Sequence, residues 1–128
     1  MFFNSTKEKG RAGLVAAIAY FGMNGYTVSI PVNDTQDYDL VVEADNTFYK
    51  VQCKSTGSKI PSGNYKVKLE TWGGLNGGTR YSRVKDGSSQ LLFVLTEEQS
   101  MYVIPVSEIT QDTQLVLSDK YKKYQVTF

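Results

Sequence analysis

YDLVVEADNTFYKVQCKS, residues 38–55, reads as two strands folded about a turn at Asp45-Asn46. LVVE and TFYKVQCK are rich in the β-branched and aromatic residues that fit a pleated, half-buried surface. Asp-Asn tolerates the positive φ values that a two-residue hairpin turn demands. The same stretch puts Asp39 at the start of one strand and Gln52 and Lys54 near the end of the next. Strand alternation sends Gln52 and Lys54 to one face and Cys53 to the other, towards a core, where a lone cysteine reads as a small buried hydrophobe. If the two strands pair, their open ends meet and three polar groups converge. Taken alone, such residues are usually a turn acid and a solvated strand face.

Outward from the hairpin, periodicity supplies the neighbours. Ser5 and Glu8 in STKEKG stand at the spacing of a capping box, in which each side chain satisfies a free backbone N–H of the first turn. Leu14, Ala17, Ile18 and Phe21 recur at helical spacing, and Asn24-Gly25 supplies a C-terminal stop, so a helix is predicted over 6–23. YTVSIP reads as a short strand stopped by Pro31. YKVKLET (65–71) alternates as one long strand with a wet face, and GGLNGGTRYSRVKDGSS (73–89) reads as a long loop without packed regular structure. LLFVLTEEQSMYVIPVSEI (91–109) gives two strands about a Glu-Glu-Gln turn, the first so continuously apolar that both its faces are expected to be buried. The tail, SDKYKKYQVTF, carries no decisive pattern. One helix and a mixed sheet define an α/β (α+β) fold, and no linker divides residues 1–128.

Composition removes several kinds of chemistry. The 128 residues are 41% hydrophobic, which suits one compact domain. No apolar run approaches a membrane span and the first residues lack the order of a signal peptide, so a soluble, cytoplasmic protein is expected. One cysteine and no histidine leave neither a disulfide nor a Cys/His zinc cluster, and they exclude Ser-His and Cys-His nucleophiles. The net charge of +1 hides an asymmetry: eight basic and three acidic residues between 44 and 86 give +5, against −2 in each flanking third.

The order of Asp39, a hairpin, and then Gln52-Cys53-Lys54 resembles the PD-(D/E)XK nuclease superfamily, which has the restriction-endonuclease-like fold. TKEKG, GYTVSIPVNDTQDYDLVVE, YKVQCK and LLFV…YVIPVSEI are similar to its small branch that includes group I intron-encoded homing endonucleases, over most of residues 6–110. The resemblance implies an N-terminal helix packed on a mixed β-sheet with a catalytic hairpin. It also implies Mg²⁺-dependent DNA hydrolysis, with Mn²⁺ able to substitute, carried by Asp39, Gln52 and Lys54. Asp39, the Gln52 amide oxygen and the Cys53 backbone carbonyl would hold the metal, a hard cation that takes oxygen ligands. Lys54 would orient or deprotonate the attacking water. Two positions depart from the family pattern: many relatives carry a glutamate on the first helix where Leu14 stands, and often a glutamate at the position of Gln52. Glu8, the one acid on that helix, is a further candidate, although its spacing suits a cap.

The basic middle third suggests where double-stranded DNA would lie. Lys59, Lys66, Lys68, Arg80, Arg83 and Lys85 supply most of its charge, and Tyr81 stands between the two arginines. Lysine neutralises phosphate and arginine reads guanine edges bidentately. A domain of this size covers few base pairs, so a homo-oligomer, dimer or tetramer, is expected. Restriction, repair and junction-resolving nucleases of the same fold, and an inactive DNA-binding domain, are the alternative readings.

Overall fold

The capping serine sets the first element. Ser5 Oγ accepts the Glu8 N–H at 3.1 Å, and α1 runs from Thr6 to Met23, the predicted bounds. Gly25, at φ +86°, follows the C-cap Asn24 and turns the chain into β1 (Thr27–Ser29). β2 (Leu40–Ala44) and β3 (Thr47–Thr56) form the expected hairpin, with Asp45 and Asn46 at φ 53° and 62°, the double positive φ of a tight hairpin turn. The remaining strands are β4 (Lys66–Lys68), β5 (Glu70–Gly73), β6 (Arg80–Arg83), β7 (Leu91–Thr96), β8 (Met101–Pro105), β9 (Gln114–Val116) and β10 (Gln125–Val126). This computed structural model describes residues 5–33, 35–73 and 80–128, with the backbone alone at 71–73 and 80–82.

Six strands form the central sheet in the order β1-β2-β3-β7-β8-β10. Only β3 and β7 run parallel; every other pair is antiparallel. Central β7 alternates between two cores. Phe93 and Leu95 join Ala17, Phe21, Leu40, Val42 and Val51 beneath α1, while Leu92 and Val94 join Val67, Leu69, Ile104, Leu115 and Tyr121 on the opposite side. Both faces are therefore covered, as its unbroken apolar run required. Among the described residues no helix is long and apolar enough to cross a membrane.

Two expectations are corrected here. YKVKLET is not one long strand: it divides at Leu69, whose N–H bonds the Thr113 carbonyl and whose carbonyl accepts from Val84, both outside the central sheet. Its first part, β4, pairs with β9 and its second, β5, with β6. Alternation was legible, but the burial of Val67 and Leu69 in the second core, which breaks the strand, is a tertiary effect. The described part of the glycine-rich stretch 73–89 is also more regular than expected, since it contains β6 and a 3₁₀ turn at Val84–Asp86. The tail forms a 3₁₀ helix, Asp119–Tyr124, that inserts wholly buried Tyr121 into the second core, its hydroxyl 2.7 Å from Gln111 Oε1.

Candidate active site

β3 outruns its partner. β2 begins at Leu40, opposite Val51, so β3 from Gln52 onward pairs with β7 on one side and, among the described residues, with no strand on the other. Asp39 fills the first position of that edge. Its backbone N–H donates to the Val51 carbonyl at 2.9 Å, and its Oδ2 accepts the Cys53 N–H at 2.8 Å. The carboxylate thus takes the place of the next strand residue, which leaves Oδ1 outside that bond. Paired strand residues send N–H and C=O to the same side, so the Cys53 carbonyl lies on this edge too.

Gly13 of α1 lies against Ser55, and Val51 and Cys53 belong to the core beneath α1, so the odd-numbered residues of β3 face the helix. Gln52 and Lys54, both half-buried, take the other face, as alternation predicted. Burial depresses the Lys54 ammonium below the usual lysine range; Asp39 opposes this, while Lys68 and Lys9 add to it. For Asp39, loss of solvation raises the carboxyl above the usual range, with the Cys53 N–H and Lys54 pulling it back. Much of Asp39 remains open to solvent, so that push is screened. Burial, then Asp39, drives the Cys53 thiol strongly upwards, leaving it a packed, unreactive group.

Lys9 did not stand out in the sequence. It is half-buried among exposed neighbours and begins a stripe, continued by Gly13, Ala17 and Phe21, that recurs every four residues and faces the sheet. The spacing was available as a signal, but a lysine at its head does not look like part of an apolar face.

The other candidates separate. Glu8 is exposed and lines a groove between α1 and the chain's last residues, with Arg11, Val15 and Phe128, rather than following the stripe of Lys9. Leu14 packs at the margin of the first core. Asp37 is a tether: its carboxylate accepts the Ser88 N–H at 2.6 Å and the Ser88 hydroxyl at 2.7 Å, which hold it below the usual carboxylate range. Lys66 and Lys68 lie on β4. Lys59 pairs with Glu98 at 3.0 Å, Arg83 with Asp86 at 2.7 Å and Lys85 with Asp112 at 3.3 Å. Such surface pairs contribute little, so a polyanion can compete for these cations. Asp34 and the side chains of Arg80 and Tyr81 lie outside the described residues.

The helix behind the site is seated without clearance. A Cβ on Gly13 would overlap Ser55 Oγ and stand 3.4 Å from the Lys54 carbonyl, and the Ser55 hydroxyl is buried without a hydrogen-bond partner. Gly13→Ala is therefore expected to destabilise the fold by about 1–2 kcal/mol, overpacking outweighing the gain in helix propensity. In a Ser55→Ala background the same change becomes neutral or stabilising. Urea unfolding of the four proteins checks this, and strictly additive effects would remove the proposed contact.

An open strand edge that presents an aspartate and then Gln-Cys-Lys, backed by a helix on a mixed sheet, defines a restriction-endonuclease-like nuclease. The family model for PD-(D/E)XK endonucleases matches residues 4–127, and the chain belongs to that family. Among solved structures it is similar to a bacterial homing endonuclease, I-Ssp6803I, at 29% identity and a TM-score of 0.75, over 94% of this chain and 82% of that one. No curated protein sequence matches it.

Proposed function

We propose that this endonuclease hydrolyses phosphodiester bonds in double-stranded DNA with Mg²⁺ or Mn²⁺, as a homing-type enzyme acting as a dimer or tetramer. The observation that carries the reading is the Asp39 carboxylate held on the Cys53 N–H with Lys54 the next residue along. The 29% identity to a homing endonuclease supports the type. Small size and the need to cut two strands support assembly.

The donor set suits a hard, oxygen-seeking cation. Among the described residues no three His, Cys, Asp or Glu side chains gather, which leaves one carboxylate, an amide oxygen and a backbone carbonyl. Magnesium is commonly held by one or two carboxylates, with water and substrate phosphate completing its shell. Asp39, Gln52 and the Cys53 carbonyl would hold it, and when bound it supplies an activated water and a counter-charge for the phosphate. Lys54 would stand beside the attacking water, where a depressed pKa would make its ammonium a ready proton donor and, once deprotonated, an acceptor. Its positive form also offsets charge growing on the phosphate.

Incubating the protein with supercoiled plasmid in Mg²⁺, Mn²⁺ or EDTA tests the reading. Cleavage is expected in either metal and not in EDTA. Gln52→Glu adds a second ligand charge worth on the order of 1–4 kcal/mol, so calorimetry should show metal binding at least about fivefold tighter. Failure of the wild type to cut any DNA, while still binding it, would leave an inactive DNA-binding domain, the reading that Gln52 and Leu14 favour.

A further inference from the structure

Three lysines close on Lys54's end of β3 from three different elements. Lys54 comes from the strand itself, Lys68 from β4 on one side of the central sheet, and Lys9 from α1 on the other. Gly13, one turn beyond Lys9 on the same helical face, fixes the helix against the Lys54 carbonyl and Ser55. The positive charges of Lys9 and Lys68 are both felt at Lys54, as is the negative charge of Asp39. Like charges gathered at a half-buried position oppose one another unless a polyanion joins them.

We infer that Lys9 is a phosphate-contacting residue of the active site, which with Lys68 grips the DNA backbone from opposite layers of the fold about Lys54. This inference rests on the nuclease reading, and it adds a role on α1 where the family's usual glutamate position is occupied by Leu14. In effect, the helix contributes charge to the substrate rather than a ligand to the metal. Because Lys9 heads a buried stripe, its stem is held and its ammonium loses little freedom on meeting a phosphate.

The test is binding of a short random-sequence duplex in EDTA, followed by fluorescence anisotropy across a range of KCl concentrations, for the wild type, Lys9→Gln and Lys9→Arg. Each phosphate contact contributes about 0.9 to the slope of log affinity against log salt for duplex DNA. Lys9→Gln should lower that slope by about one such step and Lys9→Arg should restore it. All three proteins should melt at the same temperature, since glutamine is a good helix former. In Mg²⁺, Lys9→Gln should raise KM on plasmid DNA more than it lowers kcat. An unchanged slope in Lys9→Gln overturns the assignment whether or not the wild type cuts. Binding with the expected slopes but no cleavage by any protein would leave Lys9 as a DNA contact and remove the catalytic reading instead. Absence of DNA binding by the wild type would overturn both.

Discussion

Asp39→Asn is expected to lower cleavage by roughly three orders of magnitude or more, about 4 kcal/mol of barrier, while leaving the fold intact. Asparagine keeps an oxygen that can accept the Cys53 N–H, so the strand edge remains satisfied. What it loses is the carboxylate that, among the described residues, is available to a metal at this edge. DNA affinity in EDTA should hold or rise, because a negative charge facing phosphate has gone. Stability should not fall either. Burial raises the Asp39 pKa in the folded protein, so ionisation of this group weakens the native state as pH climbs through that value, and asparagine never ionises. Plasmid cleavage rates and melting in EDTA check both halves. Metal-dependent cutting at the wild-type rate by Asp39→Asn would exclude this edge as the active site.

Lys54→Ala should bind DNA and metal yet cut on the order of a hundredfold more slowly, the usual scale for a positioned acid–base or charge-stabilising group. Lys54→Arg divides the two roles. Arginine keeps the charge but does not release its proton in proteins, so recovery with arginine assigns Lys54 to charge, and continued slowness assigns it to proton transfer. Single-turnover rates on one substrate decide between them. Cleavage by Lys54→Ala at the wild-type rate would remove Lys54 from the chemistry.

Local codes carried much of this fold in the sequence. Ser5 with Glu8, Asn24-Gly25 and Asp45-Asn46 are short-range signals whose meaning does not depend on the rest of the chain, and α1 and the hairpin formed where those signals stand. The apolar run of β7 foretold burial on both faces for the same reason. What failed was partnership. Nothing in YKVKLET announces that Leu69 must turn into a second core with Val84 and Leu115, and nothing in the polar tail marks Tyr121 as a core residue. Both are decided by packing between distant segments. In the candidate site, the Gln52/Cys53 division of faces followed from alternation. The closure of Asp39 onto the Cys53 N–H required knowing that β2 stops a residue short, and the approach of Lys9 required knowing that Gly13 seats the helix behind Lys54.

The parallel pairing of β3 with β7 also has a kinetic consequence. Lys54 lies beside Val94, forty positions further along, and a parallel pair cannot close through a tight turn. Contacts this remote form slowly because the intervening chain must give up its freedom first. During synthesis the strand bearing Lys54 leaves the ribosome well before β7, so the hairpin that carries Asp39 and Lys54 can form while its parallel partner is still to come. The proposed site would then be traced early by the hairpin but held rigid only when β7 arrives, after most of the chain has been made.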